Sequence, residues 1–281
     1  MLGFCMGVRR AVETAKEEAK RAKEINRNVF TFGPLIHNPE VLDDLKALGV
    51  SVISDNSPLP DNSTVIIRAH GLSPAVEEKL RGSGCRVIDA TCPRVKKSQL
   101  KARELAREGY CLFLAGEAGH AEITGLLGYA EDAPFREAAN SAEKAKSSAE
   151  TLFRVNKNAK TALLGQTTIS EAEYKDIGTE IKKYFPSLKI VNTICAAAAE
   201  RQNALRELLP SADAVIIAGG RESANTRKLL TIAGESGKPC VIAERASDIP
   251  DSFRGYETVG LCAGASTPDS VIDEIEQEML L

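Results

Sequence analysis

The chain has 281 residues, of which 43% are hydrophobic, and a formal net charge of -3 at pH 7. This length allows two or three compact domains, and the bulk charge gives no reason to expect binding to nucleic acid or to an anionic membrane surface. No apolar run reaches the roughly 18 to 20 residues that span a bilayer, so the sequence predicts a soluble, cytoplasmic protein.

Apolar stretches of strand length alternate with amphipathic stretches of helix length along the whole chain. "NVFTFGPLIHN" is followed by "PEVLDDLKALG", "STVIIRAHG" by "LSPAVEEKLRG", and "CLFLAGEAGH" by "AEITGLLGYA". The same alternation continues through "TALLGQTT", "DAVIIAGGRES" and "TVGLCAGAS", each of which leads into a helical pattern. This alternation is typical of parallel α/β units, whose strand-to-helix turns lie together at the ligand-binding edge of a sheet.

Three of these strand-to-helix turns carry a cysteine, at Cys5, Cys92 and Cys195. At similar intervals after each cysteine comes a second polar turn, at His37, His120 and Ser223. A third polar turn follows, at His70, Thr167 and Ser266. One unit therefore occurs three times. We predict three similar α/β modules, 6–91, 92–193 and 194–281, with small, mainly parallel sheets, arranged as a pseudo-threefold trefoil around a central site, and with residues 1–5 packing against the third module.

The seven cysteines are too few and too dispersed for a disulfide-stapled protein, so the sequence favours reduced thiols or metal ligands. Pro93 is a residue type common at the first position of a helix, which places the Cys92 sulfur beside unpaired amides that stabilise a thiolate. None of the three repeat cysteines shows close C-x-x-C spacing, so buried hydrophobic packing remains an alternative for them. Core packing is the interpretation that we favour for the other four cysteines, at positions 85, 111, 240 and 262.

The chain has only three histidines, and all of them fall on the second or third turns of the repeat. His120 stands two residues before Glu122, which places an imidazole and a carboxyl group on one turn for proton delivery. The alternative is a histidine that caps a helix, with a glutamate that complements the helix dipole. "GRESAN" and "AGASTPD" are small-residue turns that could hold phosphate oxygens, although each alone is a weak signal.

Nine segments in order resemble the 4-hydroxy-3-methylbut-2-enyl diphosphate reductases of the non-mevalonate isoprenoid pathway, also called IspH or LytB. The segments cover almost the whole chain: "GFCMGVRRAV", "GPLIHNPEV", "RAHGLSP", "DATCPRVKK", "GHAEITG", "GQTT", "TICAAAAERQ", "SANT" and "GAS.PD". The resemblance implies an oxidoreductase with one [4Fe-4S] cluster per chain, held by Cys5, Cys92 and Cys195 with one iron lacking a protein thiolate. That iron would bind the substrate's hydroxyl group.

The resemblance also implies roles for the polar turns. Catalytic roles fall to His120, Glu122 and Thr167, with the first two supplying protons and the third positioning the substrate's hydroxyl end. Binding of the diphosphate falls to His37, His70, Ser223, Asn225 and Ser266. The products would be isopentenyl and dimethylallyl diphosphates, and a ferredoxin or flavodoxin would donate the electrons.

The sequence departs from the family pattern at three alanines and at its start. Ala121 replaces a usual Pro, Ala224 a usual Ser, and the run that contains Ala198 lacks a usual Thr. A strand normally precedes the Gly-Phe-Cys turn, so we expect either a start upstream of Met1 or the loss of one strand. The alanines motivate an alternative function, that of a degenerate paralogue that binds a cluster or diphosphate without turnover. A further alternative is a metal-free thiol enzyme with Cys92 as nucleophile and a histidine as base.

Overall fold

The computed structural model describes residues 2–54 and 62–280. Its helices are α1 (Met6–Glu24), α2 (Pro39–Ala47), α3 (Pro74–Gly82), α4 (Pro93–Arg107), α5 (Ala121–Tyr129), α6 (Ala142–Val155), α7 (Glu171–Lys182), α8 (Ala196–Leu208), α9 (Ala224–Glu235) and α10 (Asp269–Leu280). Its strands are β1 (Asn28–Phe32), β2 (Val50–Ile53), β3 (Ser63–Ile67), β4 (Arg86–Asp89), β5 (Cys111–Ala115), β6 (Arg136–Ala139), β7 (Thr161–Gly165), β8 (Lys189–Ile190), β9 (Ala214–Ala218), β10 (Cys240–Ala243) and β11 (Val259–Ala263). No helix in this part of the chain is long and apolar enough to cross a membrane.

The chain forms two compact units, one of residues Met1–Ala69 with Ala196–Leu281 and the other of His70–Cys195. In the first unit, β1 lies between β2 and β3, and β9 lies between β10 and β11. The second unit contains a four-stranded sheet of order β6-β5-β7-β8. Every strand pairing in these sets is parallel, so the predicted α/β class with small parallel sheets is confirmed.

Strands β5 and β9, each central in its sheet, are buried along their whole length, which explains their continuous apolar sequences. In β5, Phe113 packs with residues of α6 and α7, while Leu112 and Leu114 pack on the opposite face with residues of α4 and α5. In β9, Val215 and Ile217 face α8 and α9, while Ile216 faces α10. Helices therefore cover both faces of these two sheets and leave their carboxyl edges to the turns that carry the polar residues.

The order of the strands follows the predicted modules: β1 to β4 lie within 6–91, β5 to β8 within 92–193, and β9 to β11 within 194–281. The module boundaries themselves stay a prediction. Residues 3–5 lie against the turn after β11, where the Cys5 amide donates a hydrogen bond to the Ala265 carbonyl oxygen at 3.1 Å.

Candidate functional site

The second unit contains a buried carboxyl group bonded to a neighbouring turn. Glu122, in the first turn of α5, is only 1% exposed. The Thr167 amide donates to its Oε1 at 2.8 Å, and the Thr167 hydroxyl donates to its Oε2 at 2.9 Å. Thr167 lies on the turn that follows β7, and so the structure brings together two residues that are far apart in sequence but adjacent at one sheet edge.

The environment of Glu122 favours its protonated form. Burial raises the pKa of this carboxyl group to about 7, and the two hydrogen bonds from Thr167 oppose the shift only in part. At neutral pH both protonation states are therefore populated. A carboxyl group with a pKa near the working pH is well suited to act as a general acid.

His120 occupies the N-cap position of α5 and performs the capping that its sequence context left open. Its Nδ1 atom accepts a hydrogen bond from the Glu122 amide at 3.2 Å. In its neutral form, the ring therefore carries its proton on Nε2. The His70 ring packs edge-on against it, with ring centroids 5.3 Å apart. Capping thus fixes the orientation of His120 and does not compete with a catalytic role.

The turn before Cys195 is tied to the same edge. The Cys195 amide donates to the Thr167 carbonyl oxygen at 2.8 Å. Two residues earlier, the Thr193 hydroxyl donates to the Gly165 carbonyl oxygen and accepts from the Gly165 amide, both at 2.7 Å. A hydrogen bond therefore joins the turn of Cys195, a candidate cluster ligand, to the turn of Thr167, the partner of the buried acid.

The buried polar side chains of Ser223, Asn225 and Ser266 lie in the first unit, on the turns after β9 and β11 and at the start of α9, and we call this group the polar pocket. Ser223 caps α9, and its hydroxyl accepts from the Ser266 hydroxyl at 3.4 Å. Asn225 is 3% exposed, and neither its amide oxygen nor its amide nitrogen has a hydrogen-bond partner in the described part of the chain. A buried polar group without a partner costs free energy unless a ligand satisfies it, so the Asn225 amide is a candidate contact for a polar ligand.

His37 lies beside this pocket, with its carbonyl oxygen near Ser266 and the turn after β9. A Cβ atom added to Gly220 would lie 2.3 Å from that oxygen, so the close approach requires glycine. Burial lowers the pKa of His37, and the positive charges of Arg68 and Arg227 lower it further. His37 is therefore held neutral among cationic groups, a setting that favours an anionic ligand, whose charge would raise the pKa of the imidazole again.

The three repeat cysteines all stand at helix starts. Cys5 and Cys92 are the N-cap residues of α1 and α4, and neither side chain makes a capping hydrogen bond. Cys195 directly precedes α8. The predicted helix start at Pro93 is confirmed. All seven cysteines are thiols, and these three are half-buried. Three accessible soft ligands beside helix amides fit an iron-sulfur cluster.

The other four cysteines lie at the predicted strands or against them. Cys111 and Cys262 are buried, whereas Cys85 and Cys240 are only partly buried. Burial raises the pKa of Cys111, Cys240 and Cys262, which keeps these thiols protonated and poor as metal ligands.

The charged side chains of Asp89 and Lys96 lie on either side of Cys92 in the sequence and form an ion pair. Asp89 accepts from the Thr91 amide at 2.9 Å and pairs with Lys96, whose Nζ atom lies 3.1 Å away. Lys96 also donates to the Tyr129 hydroxyl at 2.9 Å. Burial lowers the pKa of Lys96, but these contacts outweigh it and leave the pKa raised. The pairing is therefore maintained throughout the neutral range.

Comparison with known proteins decides the family. The family model described as LytB protein matches residues 1–280. The chain belongs to the LytB family. It is 42% identical to the 4-hydroxy-3-methylbut-2-enyl diphosphate reductase of Treponema denticola, over all of this chain and 97% of the relative. The reductase of the same name from Aquifex aeolicus is 40% identical over 99% of this chain and 93% of the relative.

Solved structures agree with this membership of the LytB family. A structure of (E)-4-hydroxy-3-methyl-but-2-enyl diphosphate reductase, described as the terminal enzyme of the non-mevalonate pathway, matches with a TM-score of 0.70 and 38% identity, over 99% of this chain and 96% of that one. A Plasmodium falciparum reductase matches with a TM-score of 0.90 and 28% identity, over 98% and 84% of the two chains.

The three alanines that depart from the LytB pattern stand on different helices. Ala121 and Ala224 are the first residues of α5 and α9 and are half-buried, whereas Ala198 is buried in α8. The absence of a side-chain hydroxyl at Ala224 removes one potential hydrogen-bond donor at the start of α9.

Two residues of the first unit's pocket escaped the sequence analysis. Thr226 is fully buried on α9, and its hydroxyl has no partner among the described residues. Thr267 donates its hydroxyl to the Ala218 carbonyl oxygen at 2.8 Å at the end of β9. Both follow a predicted pocket residue directly in sequence, and this adjacency was the available signal.

Proposed function

We propose that this chain is a 4-hydroxy-3-methylbut-2-enyl diphosphate reductase, which removes the substrate's hydroxyl group and yields isopentenyl and dimethylallyl diphosphates. Loss of the hydroxyl as water consumes one proton, and reduction of the allylic fragment consumes two electrons and a second proton. The observation that carries the proposal is the buried Glu122 carboxyl group, bonded to Thr167 on the turn that binds Cys195, in a chain of the LytB family.

We infer that Cys5, Cys92 and Cys195 hold one [4Fe-4S] cluster, since their thiols stand accessible at helix starts. A cluster of this kind supplies single electrons and a Lewis-acidic iron. A ferredoxin or flavodoxin is the proposed electron donor. The thiol state of all seven cysteines suits the proposed cytoplasmic location.

In this proposal the side chains of the second unit handle the hydroxyl end of the substrate. Glu122 delivers a proton from a buried carboxyl group that holds it at neutral pH. Thr167 orients the hydroxyl group, because its own hydroxyl can accept from the protonated acid while its amide keeps the carboxyl group in place. His120 offers its Nε2 proton, and His70 packs against its ring.

The diphosphate is assigned to His70 and to the polar pocket of the first unit. Hydroxyl and amide donors at Ser223, Asn225 and Ser266 stand at the start of α9 and after β11, where backbone amides also favour an anion. His37 contributes from the adjacent turn, where Arg68 and Arg227 add positive charge. The ligand would satisfy the Asn225 amide, which explains why this polar group is buried.

The activity assay is anaerobic incubation of the iron-loaded protein with the hydroxylated diphosphate and a reduced artificial mediator. We expect both isoprenoid diphosphates as products, separated by chromatography. A folded, iron-loaded protein that forms neither product would overturn the proposal. Omission of the mediator is the control, because the reaction requires two electrons from outside.

Asn225→Ala should raise the KM for the diphosphate by about 10- to 100-fold, the effect of losing a charge-assisted hydrogen bond of about 1.5 to 3 kcal/mol. The unliganded variant should keep or exceed the wild-type Tm, because the substitution removes a buried amide that has no partner among the described residues. Steady-state kinetics and thermal unfolding check the two effects. Asn203→Ala, at an exposed position on α8, is the matched control. An unchanged KM for Asn225→Ala would contradict the assignment.

A further inference from the structure

Arg201 is a buried cation on α8, only 1% exposed, in a helix whose sequence suggests an ordinary solvated face. Its Nη2 atom donates to the Gly3 carbonyl oxygen at 2.7 Å, and its Nη1 atom donates to the Ala197 carbonyl oxygen at 3.0 Å. One guanidinium group therefore joins the first turn of α8 to the Gly3–Cys5 turn. Burying a charged group is costly, so a position that retains it has a specific use for its donors.

The Gly3–Cys5 turn is also held from two other sides within the same unit. Gly3 has a φ of +78°, and a Cβ atom added there would lie 2.2 Å from Oδ1 of Asp269, the first residue of α10. The Cys5 amide donates to the carbonyl oxygen of Ala265, the residue before Ser266. Arg201 thus completes a set of contacts that fix the backbone on both sides of Phe4.

We propose that Arg201 is a positioning residue for the Cys5 thiolate, acting through the Gly3 carbonyl oxygen. The inference rests on the proposed function, in which Cys5 binds the cluster. Arg201 fixes the backbone of the Gly3–Cys5 turn and so orients the Cys5 sulfur at the start of α1. It also places a positive charge beside this turn. Residues that orient metal ligands commonly change metal affinity by about 10- to 100-fold when they are replaced, and nearby charge shifts the reduction potential of a cluster.

The two contributions of Arg201 can be separated by substitution. Lysine keeps the positive charge but lacks the planar fork that reaches two carbonyl oxygens at once. Methionine fills much of the space with neither the charge nor the donors. Arg206→Met, at an exposed arginine on the same helix that contacts Asn203, is the matched control.

The experiment loads each full-length variant with iron and sulfide anaerobically and measures the rate of iron loss to a chelator and the midpoint potential. Arg201→Met should lose iron about 10- to 100-fold faster than the wild type and show a lower potential. Arg201→Lys should lose iron faster while keeping a potential close to that of the wild type. Arg206→Met should match the wild type in both measurements.

Gly3→Ala disturbs the same turn while Arg201 remains, and it keeps the inference testable if Arg201→Met does not fold. We expect faster iron loss with little change in potential, because the charge is retained. The role of Arg201 would be overturned if a folded Arg201→Met variant lost iron at the wild-type rate and kept the wild-type midpoint potential. The same holds if both Arg201→Lys and Gly3→Ala behaved as the wild type in these two measurements. A folded wild-type protein that binds no iron would instead overturn the proposed function, so the two failures are distinguishable.

Discussion

Replacing Glu122 with Gln should lower kcat by about 100- to 10,000-fold and leave substrate binding nearly unchanged. Glutamine has nearly the same shape and can keep both contacts to Thr167, since its amide oxygen accepts from the Thr167 amide and the Thr167 hydroxyl can rotate to accept. What is lost is the acidic proton. Single-turnover kinetics with the iron-loaded variant measure the effect, and Glu117→Gln, on the turn before α5, is the control.

The pH dependence of Glu122 gives a second view of the same group. Its pKa is raised from 4.5 to about 7 in the folded state, so the wild-type rate of proton delivery should fall as pH rises through that value. The folded protein also holds this proton more tightly than the unfolded chain does. The stability that this group contributes is therefore present below its unfolded pKa of 4.5 and is lost as the pH rises through 7.

Chemical unfolding of the wild type and of Glu122→Gln at several pH values tests whether the stability contributed by Glu122 falls as the pH rises. The free energy of unfolding of the wild type, relative to the variant, should decrease by about 3 kcal/mol at most between pH 4.5 and pH 8. A relative stability that rises with pH would contradict a buried, protonated Glu122. An unchanged kcat in the variant would remove Glu122 from the mechanism.

Cys195→Ser and Cys5→Ser should each abolish the brown colour, most of the bound iron and sulfide, and turnover. A hydroxyl group is a poor replacement for a soft thiolate, and a cluster with only two protein thiolates lacks a stable set of ligands. Iron and sulfide analysis of anaerobically purified protein is the measurement. Cys85→Ser is the matched control, because that thiol is also half-buried and belongs to no repeat turn.

The same series separates the cluster from a metal-free thiol enzyme. If Cys92 acted alone as a nucleophile, Cys5→Ser and Cys195→Ser would remain active and only Cys92→Ser would be inactive. Equal loss of iron and activity in all three variants is the outcome that the cluster requires. A Cys195→Ser variant that was active without bound iron would exclude the cluster mechanism.

The sequence predicted the features that depend on local order. The alternation of strands and helices, the helix start at Pro93 and the polar turns at sheet edges all follow from short-range patterns that the structure confirms. The repeat placed Glu122 and Thr167 on turns of the same module, and parallel strands bring such turns to one edge.

Other features depend on side-chain directions that one sequence does not reveal. Arg201 lies in "AAAAERQNALREL", where its neighbours are typical of an exposed helix, and its contact with the distant Gly3 carbonyl oxygen cannot be read from that pattern. Thr226 looked like an ordinary helix residue, although its hydroxyl is buried beside the candidate diphosphate site. The raised pKa of Glu122 likewise depends on how deeply the packing around α5 buries the carboxyl group, and the local sequence does not specify that packing.

The most direct test is a crystal structure of the anaerobically purified protein, with diffraction data collected at the iron absorption edge. The account predicts one strong anomalous peak per chain within bonding distance of the sulfur atoms of Cys5, Cys92 and Cys195. Electron density for the cluster should show one iron without a protein thiolate. Well-ordered crystals of the folded protein in which these three sulfur atoms lie far apart, with no anomalous peak between them, would contradict the account.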